Sequence, residues 1–287
     1  MAFGGRGSGA QSNSNPGKQI MTRISERFEH LRAQGRKALI PFVTAGDPSL
    51  EATVPVLHAL VSAGADLIEL GVPFSDPMAD GPVIQRSSQH ALERGAGLAY
   101  VLDAVSRFRE QDETTPIVLM GYLNPVEIHG LERFASEAAI AGVDGVLLVD
   151  LPPEEAAETR ATLNAHQLAL ISLAAPTTRP DRLQRMATDA QGYLYYVSYA
   201  GVTGGDKLAV EGLRERVSAL CAASGVPVAV GFGIKDAESA RALAQFADGV
   251  VVGSALVQCL AKAETTAGAA QAAADFLSPL REALDAG

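Results

Sequence analysis

Eight short runs of aliphatic and β-branched residues, each followed by a stretch with helical spacing, occupy the chain from Lys37 onward. The runs lie at Ala38–Thr44, Leu67–Leu70, Ile117–Met120, Val146–Val149, Ala169–Ser172, Leu194–Val197, Val228–Val230 and Val250–Val252. Each is almost continuously apolar, as a strand must be when both its faces are buried, and parallel sheets covered by helices bury both faces. Helix-like segments include Leu50–Ser62, Leu131–Ala141, Glu154–Asn164, Asp181–Ala190, Gly212–Ala223 and Ala237–Phe246.

An open doubly wound sheet shares this alternation. The count of eight favours closure, and 287 residues exceed the roughly 250 that an eight-stranded α/β barrel needs. The expected fold is therefore α/β, a (β/α)8 TIM barrel with two additions. Ile20–Gln34 carries Ile24, Phe28 and Leu31 at helical spacing and is closed by Gly35, which suits an N-terminal helix lidding the barrel floor. Val83–Arg94 and Ala99–Arg109 both fall between strands two and three, so one extra helix is expected there. One domain is expected over residues 18–287, and Met1–Gly17, rich in Gly, Ser and Asn, reads as a disordered tail.

Bulk chemistry narrows the function. A net charge of −10 with no concentrated basic face argues against nucleic acid. Cys221 and Cys259 lie far apart in helical segments, and His30, His58, His90, His129 and His166 lack ligand spacing, so neither a disulfide framework nor a metal site is indicated. No apolar run reaches the roughly 18 to 20 residues of a membrane span, and residues 1–17 lack the apolar middle of a signal peptide. A cytoplasmic protein is expected.

Within the second strand, Glu69 stands where an apolar residue belongs. Alternation places it on the face of Leu67, looking into the barrel at its C-terminal mouth, where barrel enzymes keep their catalytic residues. Burial raises a carboxyl pKa and suits it to proton transfer near neutral pH. A core Glu satisfied by a neighbouring hydroxyl is the alternative. Eleven residues later Asp80 lies in the turn-rich SDPMADGP loop, placed to reach the same substrate from another side, whereas Ser75 and Asp76 shape the loop.

The seventh and eighth strands end in VAVGFGI and VVVGSAL, bringing backbone amides near Gly233, Gly253 and Ser254 together where such barrels cradle phosphate. Glycine used only for tight turns is the alternative. The sixth loop, SYAGVTGGDK, holds Thr203 and Gly204 and has the composition of a closing loop. Asp150, ending the fourth strand, is placed either to meet that loop or to cap a helix.

PFVTAGDP at 41–48, ELGVPFSDPMADGP at 69–82 and AGVTG at 200–204 resemble the alpha chain of tryptophan synthase, with similarity from about Ile20 to the C-terminus. The resemblance implies retro-aldol cleavage of indole-3-glycerol phosphate, without metal or organic cofactor in this chain. It implies Glu69 as general acid/base, Asp80 as the carboxylate facing the indole N–H, and Asp150 with Thr203 as the loop-closing pair. Gly204, Gly233, Gly253 and Ser254 would contact phosphate. Phe42, Ile84, Met120, Tyr122, Leu147, Tyr195 and Phe232, at or near strand ends, would form the indole pocket or else pack as ordinary core. A pyridoxal-phosphate-dependent beta chain in an α2β2 assembly is the implied partner, docking on the rim made by Ser75–Pro82 and Tyr122–Gly130. Glu127 and His129 stand where relatives commonly carry aromatics, and GGDK follows Thr203 where many have a Gly-Ala-Arg-like run.

Two other readings compete. A Schiff-base aldolase needs a strand lysine inside the barrel, and Lys18, Lys37, Lys207, Lys235 and Lys262 all fall elsewhere. A catalytically dead regulatory subunit is opposed by the presence of both Glu69 and Asp80.

Overall fold

The computed structural model describes residues 22–197, 207–231 and 233–286. Nine strand segments run through it: β1 (Ala38–Thr44), β2 (Ile68–Gly71), β3 (Ile117–Gly121), β4 (Gly145–Leu148), β5 (Ala169–Leu170), β6 (Ser172–Ala174), β7 (Leu194–Val197), β8 (Val228–Gly231) and β9 (Gly249–Val252). All pair in parallel, in the order β5-β4-β3-β2-β1-β9-β8-β7-β6. The segments at the two ends of that order, β5 and β6, are halves of the expected fifth strand. Its first half pairs with β4 and its second with β7, and between them the Ile171 amide still donates to Val146 O at 2.8 Å. The sheet thus closes on itself through one bent strand, giving a barrel of eight staves.

Alternation along the staves sorts the core into two layers. Leu39, Val43, Ile68, Leu70, Leu119, Val146, Leu194, Val228 and Val250 point outward into the cluster beneath the helices. Ala38, Ile40, Leu67, Val118, Leu147, Tyr193, Tyr195, Ala229 and Val251 point inward and fill the barrel. The N-terminal helix Arg23–Ala33 adds Ile24, Phe28 and Leu31 to that inner layer from below, and Gly35 leaves it at φ 68°. It is the expected floor lid.

Parallel strands begin with amides that have no ladder partner, and a buried donor must be satisfied somehow. Here Asp66 accepts from Leu39 N at 2.9 Å, Asp144 from Ile117 N at 2.8 Å, Gln191 from Leu170 N at 3.1 Å and Asp248 from Val228 N at 3.0 Å. The buried carboxylates are themselves paired: Arg281 with Asp66 at 2.8 Å, Arg109 and Arg23 with Asp144 at 2.8 and 2.9 Å. Rigidity on the floor leaves the loops of the opposite face free to carry chemistry.

The extra helix is present. Pro82–Glu93 and Leu98–Arg109 both lie between β2 and β3, with Pro82 in the first turn where its missing N–H costs nothing. The expected Glu154–Asn164 helix starts later, at Ala157, because Pro152 and Pro153 lead into a run of turns. Two helices absent from the sequence reading are Leu123–His129, directly after β3, and the 20-residue Thr266–Asp285, which packs against Thr53–Ser62. The expected tail over Met1–Gly17 lies outside the described residues. Among the described residues no helix is long and apolar enough to cross a membrane.

Candidate active site

Inward alternation on β2 sends Glu69 into the barrel just below its C-terminal mouth, paired in register with Phe42 of β1 and Val118 of β3. The residue is 0% exposed. Its Oε1 accepts a 2.6 Å hydrogen bond from the Tyr193 hydroxyl, while Oε2 is buried with no partner. Burial pushes the Glu69 pKa up to about 8 against the weaker opposing effect of the Tyr193 hydrogen bond. Glu69 is therefore predominantly protonated at neutral pH, with its proton naturally on the unpartnered oxygen. Tyr193 is held neutral by its own burial and the adjacent carboxyl, so it serves only as a donor. Tyr193 escaped the sequence reading because it lies one residue before the sixth apolar run. The period-two spacing Tyr193, Tyr195 was the available signal.

Asp80 sits on the loop after β2, half-buried, and burial raises its pKa while a hydrogen bond from Tyr122 opposes the rise. The Tyr122 hydroxyl donates to Asp80 Oδ2 at 3.0 Å and accepts from Ala79 N at 3.0 Å, so one side chain at the end of β3 fixes both the loop backbone and its carboxylate. Phe74 packs on Tyr122 with ring centroids 5.1 Å apart. Ser75 donates to Asp76 within the loop at 2.6 Å, consistent with a shaping role.

Glu69 and Asp80 face one cavity of about 430 Å³. Phe42, Ile84, Met120 and Tyr195 line it, and so do Val149, Leu173 and Val197, which sequence reasoning left out. These three had no signal beyond strand-end position. Tyr122 borders an adjoining recess shared with Phe42, Asp80, Ile84 and Met120. Leu147 lies deeper, 0% exposed in the inner layer, and is not among the residues lining the cavity. The same cavity meets Gly233, Gly253 and Ser254, in the turns after β8 and β9. Gly233 has φ 53°, a left-handed conformation glycine adopts without strain, and nothing lies within 4 Å of where a Cβ would project. At Gly231, the last residue of β8, a Cβ would collide with the Tyr195 hydroxyl.

Asp150 is exposed, and its Oδ1 accepts from Leu123 N at 2.8 Å, anchoring the start of the Leu123–His129 helix. Thr203, Gly204 and Phe232 lie outside the described residues. Among the described residues no three His, Cys, Asp or Glu side chains gather as a metal site.

A closed eight-stave barrel with two carboxyls, Glu69 and Asp80, on one cavity at its mouth and glycine turns after its last two staves has the layout of a TIM-barrel enzyme. The family model for the tryptophan synthase alpha chain matches residues 28–284. Tryptophan synthase alpha chains from Xanthomonas campestris pv. campestris (strain B100) and Xanthomonas axonopodis pv. citri (strain 306) are each 66% identical, over 92% and 93% of this chain and 98% and 100% of theirs. The crystal structure of tryptophan synthase subunit alpha from Legionella pneumophila str. Paris superposes with a TM-score of 0.87 at 45% identity, covering 93% of this chain and all of that one. A Mycobacterium tuberculosis tryptophan synthase structure gives 0.82 at 34%, over 92% and 99%. This chain belongs to the tryptophan synthase alpha chain family.

Proposed function

We infer that the chain, acting as one catalytic domain over residues 18–287, cleaves indole-3-glycerol phosphate to indole and glyceraldehyde 3-phosphate. The observation that carries this reading is the pair of carboxyls with unlike surroundings on one apolar cavity. Indole leaves only as a neutral molecule, so its C3 must gain a proton as the bond to the glycerol carbon breaks. Glu69, protonated at rest, gives that proton to C3, and the resulting carboxylate takes the proton of the hydroxyl on the adjacent glycerol carbon. That hydroxyl becomes the aldehyde, the electrons of the broken bond return to the indole ring, and Glu69 regains the proton it lent. Asp80, held by Tyr122, accepts the indole N–H and stabilises the positive charge that appears there in between.

Apolar lining from Phe42, Ile84, Met120 and Tyr195 matches a flat aromatic ring. The turns after β8 and β9 offer Gly233, Gly253 and Ser254 amides to the phosphate, with Gly204 joining when the sixth loop closes. Asp150 and Thr203 are assigned to that closure; the Asp150 bond to Leu123 is the resting partner it would share or exchange. The chain uses no cofactor of its own, and its partner is a beta chain carrying pyridoxal phosphate in an α2β2 complex in the cytoplasm. Met78 and Ile128, 85% and 81% exposed on the Ser75–Pro82 and Tyr122–Gly130 segments, are the apolar contacts of the docking rim.

Indole release from indole-3-glycerol phosphate, followed with and without the cognate beta chain, tests the reading. Turnover that rises on complex formation and is lost in Glu69→Gln and Asp80→Asn supports it. No indole from either the lone chain or the complex refutes it.

A further inference from the structure

We infer that Asp47 is a positioning residue for the cleavage: with Ser87 and Arg94 it latches the helix from which the Asp80 loop hangs. The inference rests on the reading of Asp80 given above. Asp47 follows β1 on the catalytic face, and its side chain is 4% exposed. Its Oδ2 accepts from the Ser87 hydroxyl at 2.7 Å and its Oδ1 from Arg94 Nη1 at 3.1 Å, with His90 Nδ1 at 3.9 Å. Ser87 and Arg94 are seven residues apart, two helical turns, so a single carboxylate grips one face of Pro82–Glu93 along its second half.

The grip has a fixed base. Ala45 N donates to Gly71 O at 3.1 Å and Gly46 N to Thr53 Oγ1 at 2.9 Å, and the Tyr100 hydroxyl also donates to Thr53. Gly46, at φ 88°, lets Ala91 and Ala96 come within contact distance, which seats the helix on the loop. The same helix holds the catalytic loop. Ser88, beside Ser87, accepts from Phe74 N at 2.8 Å and donates to Phe74 O at 3.0 Å. Gln85 donates to Asp80 O at 2.9 Å. Phe74 packs on Tyr122, which binds Asp80. Adjacent serines on one turn thus tie the Asp47 loop to the Asp80 loop, and a shift of the helix moves Asp80.

A misplacement near 1 Å at a reacting group costs about 100-fold in rate. Asp47→Asn and the pair Ser87→Ala with Arg94→Ala are measured in the complex with the beta chain, for kcat, KM and melting midpoint, each also in an Asp80→Asn background. The latch predicts kcat lower by about 10- to 100-fold, with KM changed far less because Asp47, Ser87 and Arg94 all lie outside the cavity and its turns after β8 and β9. It further predicts that Asp47→Asn adds less than about twofold once Asp80 is Asn, the limit expected for residues acting through one another. Folded variants with wild-type kcat overturn the latch, and so do losses that multiply fully in the Asp80→Asn background. Should Asp47→Asn not fold, Ser87→Ala alone reads the same coupling. Wild-type turnover by Asp80→Asn itself overturns the reading of Asp80 and the latch with it, whereas multiplying losses overturn the latch only.

Discussion

Replacing Glu69 by Gln keeps the shape of the side chain and removes its ability to ionise, which makes the cost of that ionisation measurable. In the unfolded chain Glu69 titrates near 4.5, and in the barrel burial carries it to about 8. Between those values the folded protein holds a proton that the unfolded chain has released. Stability from this group is therefore complete below the lower value and declines as pH rises through the upper one. The difference of about 3.5 units corresponds to an order of magnitude of 5 kcal/mol, at about 1.4 kcal/mol per unit. Urea denaturation of wild type and Glu69→Gln at several pH values reads it. The stability of the variant relative to wild type should grow by about 3 kcal/mol between about pH 5.5 and pH 8. Indole formation by the variant should fall by about 100- to 10,000-fold at neutral pH, since a positioned acid has gone, and the deficit should narrow above pH 8 as the wild type loses its proton. A relative stability that stays level across that range would refute the claim that Glu69 is buried and protonated at rest.

Asp80→Asn should lower turnover by about 100-fold or more while leaving the melting midpoint near that of wild type, because the residue is half-buried and its amide still accepts from Tyr122; steady-state kinetics beside thermal melts check this. Tyr193→Phe removes the one hydrogen bond that favours ionised Glu69. It should therefore move the alkaline limb of kcat/KM to higher pH, and an unmoved limb would show that the bond does not act on Glu69. Gly233→Val strains a left-handed turn and crowds its amide, so KM should rise more than kcat falls; unchanged substrate affinity in a folded variant would place the phosphate elsewhere. Arg281→Ala leaves the buried Asp66 short of its nearest cation and should cost about 3 to 5 kcal/mol in denaturation without altering KM.

The barrel was legible because its strands are buried on both faces and so interrupt the helical pattern with apolar runs, and because there are eight of them, which favours closure over an open doubly wound sheet. Most bounds moved by only a residue or two, although the helix expected from Gly212 begins at Lys207. Pro152 and Pro153 delayed one helix, and Ile171 marks the bend at which the fifth strand changes partners, a feature of closure that a linear pattern does not contain. The Leu123–His129 helix is short and begins with Asn-Pro after its first residue, which reads locally as a loop.

Glu69 was legible for the opposite reason, as a carboxylate violating an apolar pattern, and Asp80 by its position on the loop immediately following. Their partners were not. Tyr193 and Tyr122 join them across 124 and 42 residues of sequence, and no local rule signals a hydrogen bond at such range. Asp47 entered only as one residue of the PFVTAGDP stretch, and only the docking of Pro82–Glu93 gives its carboxylate something to hold.

The dependence of kcat/KM on pH for cleavage of indole-3-glycerol phosphate tests the central claim most directly, because that ratio reports the ionisation of the free enzyme. With Glu69 acting first as an acid, the ratio should hold level through neutrality and fall tenfold per unit above a pKa of about 8. The descending limb should be absent from the residual activity of Glu69→Gln. A wild-type profile with no descending limb above pH 8, or one that only rises through the ordinary carboxyl range as expected for a group that must start ionised, would contradict it.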